Sequence, residues 1–200
     1  MRNLLLSSLC VAAAVTVPNT ALANKGDHAR YSAQLGVSPF GGAVNLGYNK
    51  NKRNTIVVAF GGAPMGSVSM EMEFNNKDFT VEGGTSWMGA FWNHRPIKDA
   101  DWFRANVGFA TGQITNELTE KGNKNNVYSA EWRNNPVGYV GVGFGNRVKE
   151  GFMIGFDVGA LFTPGPQISG PDSATVEAIE ESIFFGPVLP NGQLTVGWGF

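Results

Sequence analysis

The sequence predicts an all-β protein, an eight-stranded antiparallel up-and-down transmembrane β-barrel with a short helix in its last outer loop, and three observations lead there. The chain opens on an export leader. After it, no segment approaches the roughly 18 consecutive apolar residues that mark a membrane helix. Strand-period alternation, with one unbroken apolar face opposite a face of glycine and small polar groups, recurs down to the final residue.

The leader comes first in the argument. Met1 and Arg2 precede an apolar run at 4–17, then Pro18 and Ala21-Leu22-Ala23, an A-x-A cleavage signal. Residues 1–23 are therefore expected to be removed, leaving 24–200 as one barrel domain. The single cysteine, Cys10, leaves with the leader, and so the remainder has no disulfide or thiol chemistry. Leu9 before Cys10 and the short run ahead of it argue against a lipidated cysteine. Cleavage takes one of the 15 basic residues and none of the 16 acidic ones, so 14 face 16 and nothing suggests nucleic-acid binding. The 27 glycines and a mean hydropathy of −0.10 fit a membrane barrel better than a helical membrane protein.

The strands follow in order. The weakest is 30–48, whose apolar face passes from Tyr31, Leu35 and Val37 to Val44, Leu46 and Tyr48 across SPFGG. That shift reads as a bulge; two strands there would make nine. Next come 53–61, with Ile56, Val58 and Phe60 on one side, and 66–74, where Val68, Met70, Met72 and Phe74 alternate with Ser67, Ser69, Glu71 and Glu73. Segments 79–93, 101–112 and 136–146 continue the pattern. In 150–163, Phe152, Ile154, Phe156 and Val158 oppose Gly151, Met153, Gly155 and Asp157. The chain closes on 193–200, QLTVGWGF, with Leu194, Val196, Trp198 and Phe200 on one face.

Connections fix the direction. With both ends on the periplasmic side, GGAP at 61–64, HRPIKDA at 94–100 and NRVKE at 146–150 are the short inner turns. The long connections, 113–135 and 164–192, then fall outside, as such a topology requires. The second carries SATVEAIEESIFF, a helical stretch with Val176, Ile179 and Ile183 on one face, which could cap the barrel, enter it or lie on headgroups.

With an export leader, eight alternating strands, aromatics near strand ends and a last strand finishing on Phe200, the chain resembles the eight-stranded outer-membrane barrels of the OmpA, OmpX and OmpW type. The resemblance is architectural and spans the whole of 24–200. It implies that Leu194, Val196, Trp198 and Phe200 form the ending read by the barrel-assembly machinery, and that outer-membrane lipid surrounds a monomer in a Gram-negative envelope.

Glu71, Glu73, Glu82, Arg104 and Asp157, with Arg30 and Arg53 as further candidates, fall on inward faces in this register. An eight-stranded barrel is just wide enough for its interior to be filled by side chains. Buried charges must pair, so the expectation is a salt-bridged plug with Arg104 bridging acids, rather than an ion path. Gly141, Gly143 and Gly145 in GYVGVGFGN lack the spacing and following helix of a phosphate loop. His28 and His94 would both sit on the periplasmic side. That is the wrong end for a lipid-modifying enzyme, and Ser86 is too far from His94 along a strand to form a nucleophile–base pair. Two distant histidines make no metal site. The aromatic residues suit interfacial girdles. A soluble lipocalin-like barrel is the architectural rival, but it would not need to end on an aromatic strand. The expectation is thus a non-enzymatic barrel with a side-chain-filled lumen and no cofactor, acting in envelope structure or through its loops. The alternatives are an OmpW-like conduit for small hydrophobic compounds and a lipid-modifying hydrolase.

Overall fold

The computed structural model describes residues 28–200 apart from 99, 134, 135 and 146; the expected leader at 1–23 lies outside the described residues. The elements are β1 (Tyr31–Ser38), β2 (Gly41–Asn49), β3 (Asn54–Phe74), β4 (Lys77–His94), β5 (Phe103–Glu120), β6 (Val127–Arg133), β7 (Val137–Gly145), β8 (Gly151–Phe162), β9 (Gln167–Ser169), α1 (Ser173–Glu180) and β10 (Val188–Gly199). All pairings are antiparallel. Eight strands close a ring in the order β1-β2-β3-β4-β5-β7-β8-β10 and back to β1. Closure matters because an open edge would leave unpaired backbone groups in hydrocarbon. The last strand performs it: Ala33 pairs with Trp198 and Leu35 with Val196, and Tyr31 and Phe200 exchange backbone bonds of 3.1 and 2.8 Å. QLTVGWGF is therefore the seam of the barrel.

The outer face is apolar around the ring. Leu35, Leu46, Val58, Val107, Val140, Ile154 and Val196 all stand exposed, as does Phe109 at 67%. The opposite faces carry Ser32, Asn45, Asn49, Thr55, Asn106, Asp157 and Thr195, all buried. A soluble barrel would reverse this arrangement.

Two of the expected strand boundaries are corrected, and the corrections compensate in the count. SPFGG is the turn of a hairpin between β1 and β2. Tyr31 pairs with Tyr48 and Ser38 with Gly41, and the Phe40 N–H donates to the Ser38 hydroxyl at 3.2 Å. Gly41 has φ of 93°, a left-handed conformation that glycine adopts without strain. GGAP, in turn, is no periplasmic turn: 53–61 and 66–74 are parts of the single strand β3, 21 residues long. Between the pairs Ala63–Thr85 and Val68–Gly83, β3 advances from 63 to 68 while β4 moves only from 85 to 83. That odd difference is a bulge, and it exchanges the faces of β3 from there on.

Above the bulge the wall continues as a cap. The second half of β5 pairs with β6, and β6 with β9, so most of the expected loop at 113–135 is strand. Phe74, Phe79, Leu118, Tyr128 and Trp132 turn inward here and pack with Ile179, Phe185 and Leu189 from the last outer connection. Phe79 meets Tyr128 edge-on at 5.5 Å, and Trp132 stacks on Phe185 at 5.9 Å. The helix caps the barrel. Thr175 and Ile179 are its buried residues, whereas Ile183, expected on the same face, lies beyond its end at 71% exposure. Asp172 caps its N-terminus, accepting from the Ala174 N–H and the Thr175 hydroxyl, and the latter bond holds its carboxyl below the usual range.

Candidate functional site in the barrel lumen

Arg104 on β5 and Asp157 on β8 meet on the lumen side of the wall, over β7. Their strands are both neighbours of β7, where Gly143 pairs with each of them. Arg104 Nη2 donates to Asp157 Oδ2 at 2.7 Å and Oδ1 at 2.8 Å, and Nη1 donates to the Gly145 carbonyl at 3.0 Å. Asn106 Nδ2 also donates to Asp157 Oδ1. Arg104 is 2% exposed and Asp157 8%. Gly143 makes room, since a methyl group there would overlap Asp157 Oδ1 and the guanidinium. Such a fork holds orientation as well as charge, because both carboxylate oxygens are engaged by groups of fixed geometry.

Below this pair, Arg95 enters from the turn after β4. It is buried, its Nη1 donates to Thr55 Oγ1 at 3.1 Å and its Nε to the Asp101 carbonyl at 3.1 Å. On the other side of the pair, toward the cap, Phe91 and Tyr139 meet edge-on at 5.6 Å. The Tyr139 ring lies over Gly141 and Gly159, and the Phe91 ring over Gly108 and Gly89. Lumen glycines thus seat aromatic rings from their own and neighbouring strands. Sequence reasoning missed Arg95 because it was placed in a turn, and missed Asn106 because only charges were followed. Asn106 follows Arg104 on the same face of β5, which was the available signal.

The remaining charged candidates lie elsewhere. Glu71, Glu73 and Glu82 are exposed on the outside of the cap, and Glu71 pairs with Lys121 at 2.7 Å. The β3 bulge is the reason for Glu71 and Glu73: beyond it Met72 and Phe74 take the inward places, and the carboxylates turn to water. Glu82 pairs with Ser69 and Glu117 on that same outward side. Arg30 and Arg53 are exposed at the end of the barrel where β1 begins and β10 ends, with the Arg30 guanidinium 6.0 Å from the Tyr48 ring. His94 faces Asn54 Oδ1 at 2.9 Å and leans on Trp92, while Ser86 is exposed further along β4. Among the described residues no cluster of His, Cys, Asp and Glu forms a metal site. No described helix is long and apolar enough to cross a membrane.

Between the ion pair and the cap lies a cavity of about 130 Å³. Arg104, Asn106 and Asp157 border it at one end, and Trp87, Trp132 and Leu189 at the other.

No family model and no curated protein matches the sequence. Solved structures do. CarO of Acinetobacter baumannii aligns with a TM-score of 0.64 at 16% identity, over 84% of this chain and 97% of that one. CarO2 of the same organism aligns at 0.66 and 15% identity, over 88% of this chain and all of the other. The chain has the outer-membrane β-barrel fold. In this barrel, eight membrane-spanning strands enclose a lumen that holds the Arg104–Asp157 pair over β7, and the strands rise past the apolar belt into an aromatic-cored cap. At such identity the likeness extends to the fold alone.

Proposed function

We propose that the protein is a non-enzymatic, monomeric outer-membrane barrel with no continuous water path, exported by its leader and inserted by the barrel-assembly machinery, whose biological work lies at its capped outer end. One observation supports this reading: side chains project into the lumen at two levels, Arg95 and the Arg104–Asp157–Asn106 cluster toward the end where β1 begins and β10 ends, and Trp132, Phe185 and Leu189 beneath α1 at the other. The environment of His94, which faces an asparagine rather than a serine, supports the absence of hydrolase chemistry. Purified protein in planar lipid bilayers should give no discrete conductance steps at moderate voltage. Regular single-channel openings from the wild-type chain would overturn the closed-lumen reading.

The cavity supports a second reading, the side conduit for small hydrophobic compounds. It reaches the wall at Thr111, Gln113, Thr163 and Pro164, where β5 passes from β7 to β6 and β8 ends. A route there would leave ion conductance at zero, and transport of a labelled hydrophobic solute into liposomes would separate the two readings.

A further inference from the structure

One sector of the barrel's rim carries charge that the protein leaves unmatched. It lies at the end where β1 begins and β10 finishes. Tyr31 pairs with Tyr48, Tyr48 with Ile56 and Ile56 with Trp92, so these four form one row across β1, β2, β3 and β4. All four are exposed on the lipid-facing side. The Tyr31 and Tyr48 rings are 5.7 Å apart, and Trp92 Nε1 donates to Asn54 Oδ1 at 3.1 Å at the edge of the row. Amphipathic rings of this kind settle at the level of lipid headgroups, so the row marks where the hydrocarbon ends.

Just beyond it stand Arg30, ahead of β1, and Lys50, Lys52 and Arg53, in the β2–β3 turn, all exposed. Asn51 fixes that turn, its Oδ1 accepting from the Arg53 and Asn54 N–H groups at 2.9 and 2.8 Å. The Arg30 guanidinium lies 6.0 Å from the outward-facing Tyr48 ring, and so on the outer side of the wall. The sequence has no acidic residue between 28 and 70. Among the described residues none of these four cations is in an ion pair. The other two connections at this end differ. By sequence they set Lys98, Arg147 and Lys149 against Asp99, Asp101 and Glu150, and Arg147 is bridged to Asp101 at 3.2 Å. At the capped end the exposed charges include Glu71, Glu73 and Glu82. Uncompensated positive charge at headgroup level is thus local to the β1–β3 sector.

Charge selects among the lipids that touch this band. A zwitterionic ethanolamine headgroup brings its own ammonium, which four cations repel, whereas a phosphatidylglycerol headgroup offers only the negative charge of its phosphate. Arginine engages phosphate oxygens in pairs, and lysine meets them as a point charge. Long basic side chains lay their aliphatic stems along apolar surface and reach the phosphates with their heads. Basic clusters beside membrane segments draw anionic lipid within a Debye length. We propose that Arg30, Lys50, Lys52 and Arg53, above the Tyr31–Tyr48–Trp92 row, form a binding site for an acidic glycerophospholipid of the periplasmic leaflet. The aromatic row receives the glycerol and upper acyl region, and the cations hold the phosphate. The site lies on the outer wall, so it stands independently of what the lumen conducts.

The test uses the folded barrel and native mass spectrometry, from detergent holding equal amounts of phosphatidylglycerol and phosphatidylethanolamine with the same acyl chains. The expected result is retention of phosphatidylglycerol in preference by about fivefold or more. Arg30→Gln/Lys50→Gln/Lys52→Gln/Arg53→Gln should bring the two lipids to parity, and Lys98→Gln/Lys149→Gln should keep the preference, with the heat-dependent gel shift showing that each variant is folded. Lys50→Gln/Lys52→Gln serves if the fourfold variant does not fold, and should at least halve the preference. Three results would overturn the site: equal retention of both lipids by the wild-type chain, a preference unchanged in the folded rim variants, or an equal loss in Lys98→Gln/Lys149→Gln. The leaflet rests on placing these turns in the periplasm and has its own readout. Lys52→Cys should react with a maleimide too large for outer-membrane pores only after permeabilisation. Labelling on intact cells would overturn the leaflet assignment, whereas lipid retention reports on the site whichever way the barrel points.

Discussion

Asp157 and Val158 are adjacent in sequence and occupy opposite environments. Asp157 is held by Arg104 and Asn106 inside, and Val158 stands 43% exposed on the outer face of β8. Removing one member of a buried pair strands the other, at a cost of about 3–5 kcal/mol. Arg104→Met should therefore lower the urea midpoint of the folded barrel by an amount of that order while leaving insertion intact. Val158→Arg places a charge in lipid and should cost about 2–4 kcal/mol near the midplane, read as lost assembly into liposomes. The two assays assign inside and outside separately. If Val158→Arg is harmless and Asp157→Arg blocks assembly, the faces are reversed.

The β3–β4 hairpin shows how one element shapes the outer end. Phe74 pairs with Lys77 across a two-residue turn, and Asn75 and Asn76 have φ of 49° and 59°. Two consecutive left-handed residues make the mirror-type turn whose twist matches the flanking strands, and asparagine tolerates it better than most residues. Asn76→Val should destabilise the hairpin by roughly 1–2 kcal/mol, the cost of a left-handed conformation for an ordinary side chain, whereas Asn76→Gly should be close to neutral. Amide exchange at 70–82 is the readout. Equal protection in the two variants would mean that the cap core, through Phe74 and Phe79, fixes the hairpin without help from its turn. Lys77 ties the same hairpin to the rest of the cap, lying 3.8 Å from Glu120 and 3.5 Å from the helix-capping Asp172.

At the scale of the whole molecule, the strands are unequal. A tilted membrane strand needs about 9–11 residues, and β3, β4 and β5 have 21, 18 and 18. Roughly half of each therefore stands above the apolar belt, all at the end opposite the start of β1 and the end of β10. Short turns join the strands at the end where β1 begins and β10 finishes, as in outer-membrane barrels whose short turns are periplasmic. An epitope inserted at 121–126 should be labelled on intact cells, and one inserted at 97–98 only after permeabilisation. Labelling in the opposite pattern would invert the barrel and move the cap to the periplasm.

What the sequence determined by itself is whatever depends on alternation. Period-two patterning is local, so the all-β class, the apolar outer face, the closing strand to Phe200 and the inward aim of Arg104 and Asp157 were legible from neighbours one and two residues away. Glycine opposite aromatic residues likewise marked the packed side of β7 and β8. Only the tertiary structure decided which segments join end to end. A bulge and a turn share a glycine-rich composition, and SPFGG and GGAP exchanged roles without altering the number of strands. That exchange carried Glu71 and Glu73 from the expected lumen to the surface, because one irregularity reverses the facing of every residue beyond it. The cap was hidden for a related reason. Phe79, Leu118, Tyr128, Trp132 and Phe185 come from separate segments, and their common core exists only once β3 to β6 rise together above the membrane and the last outer connection folds back over them.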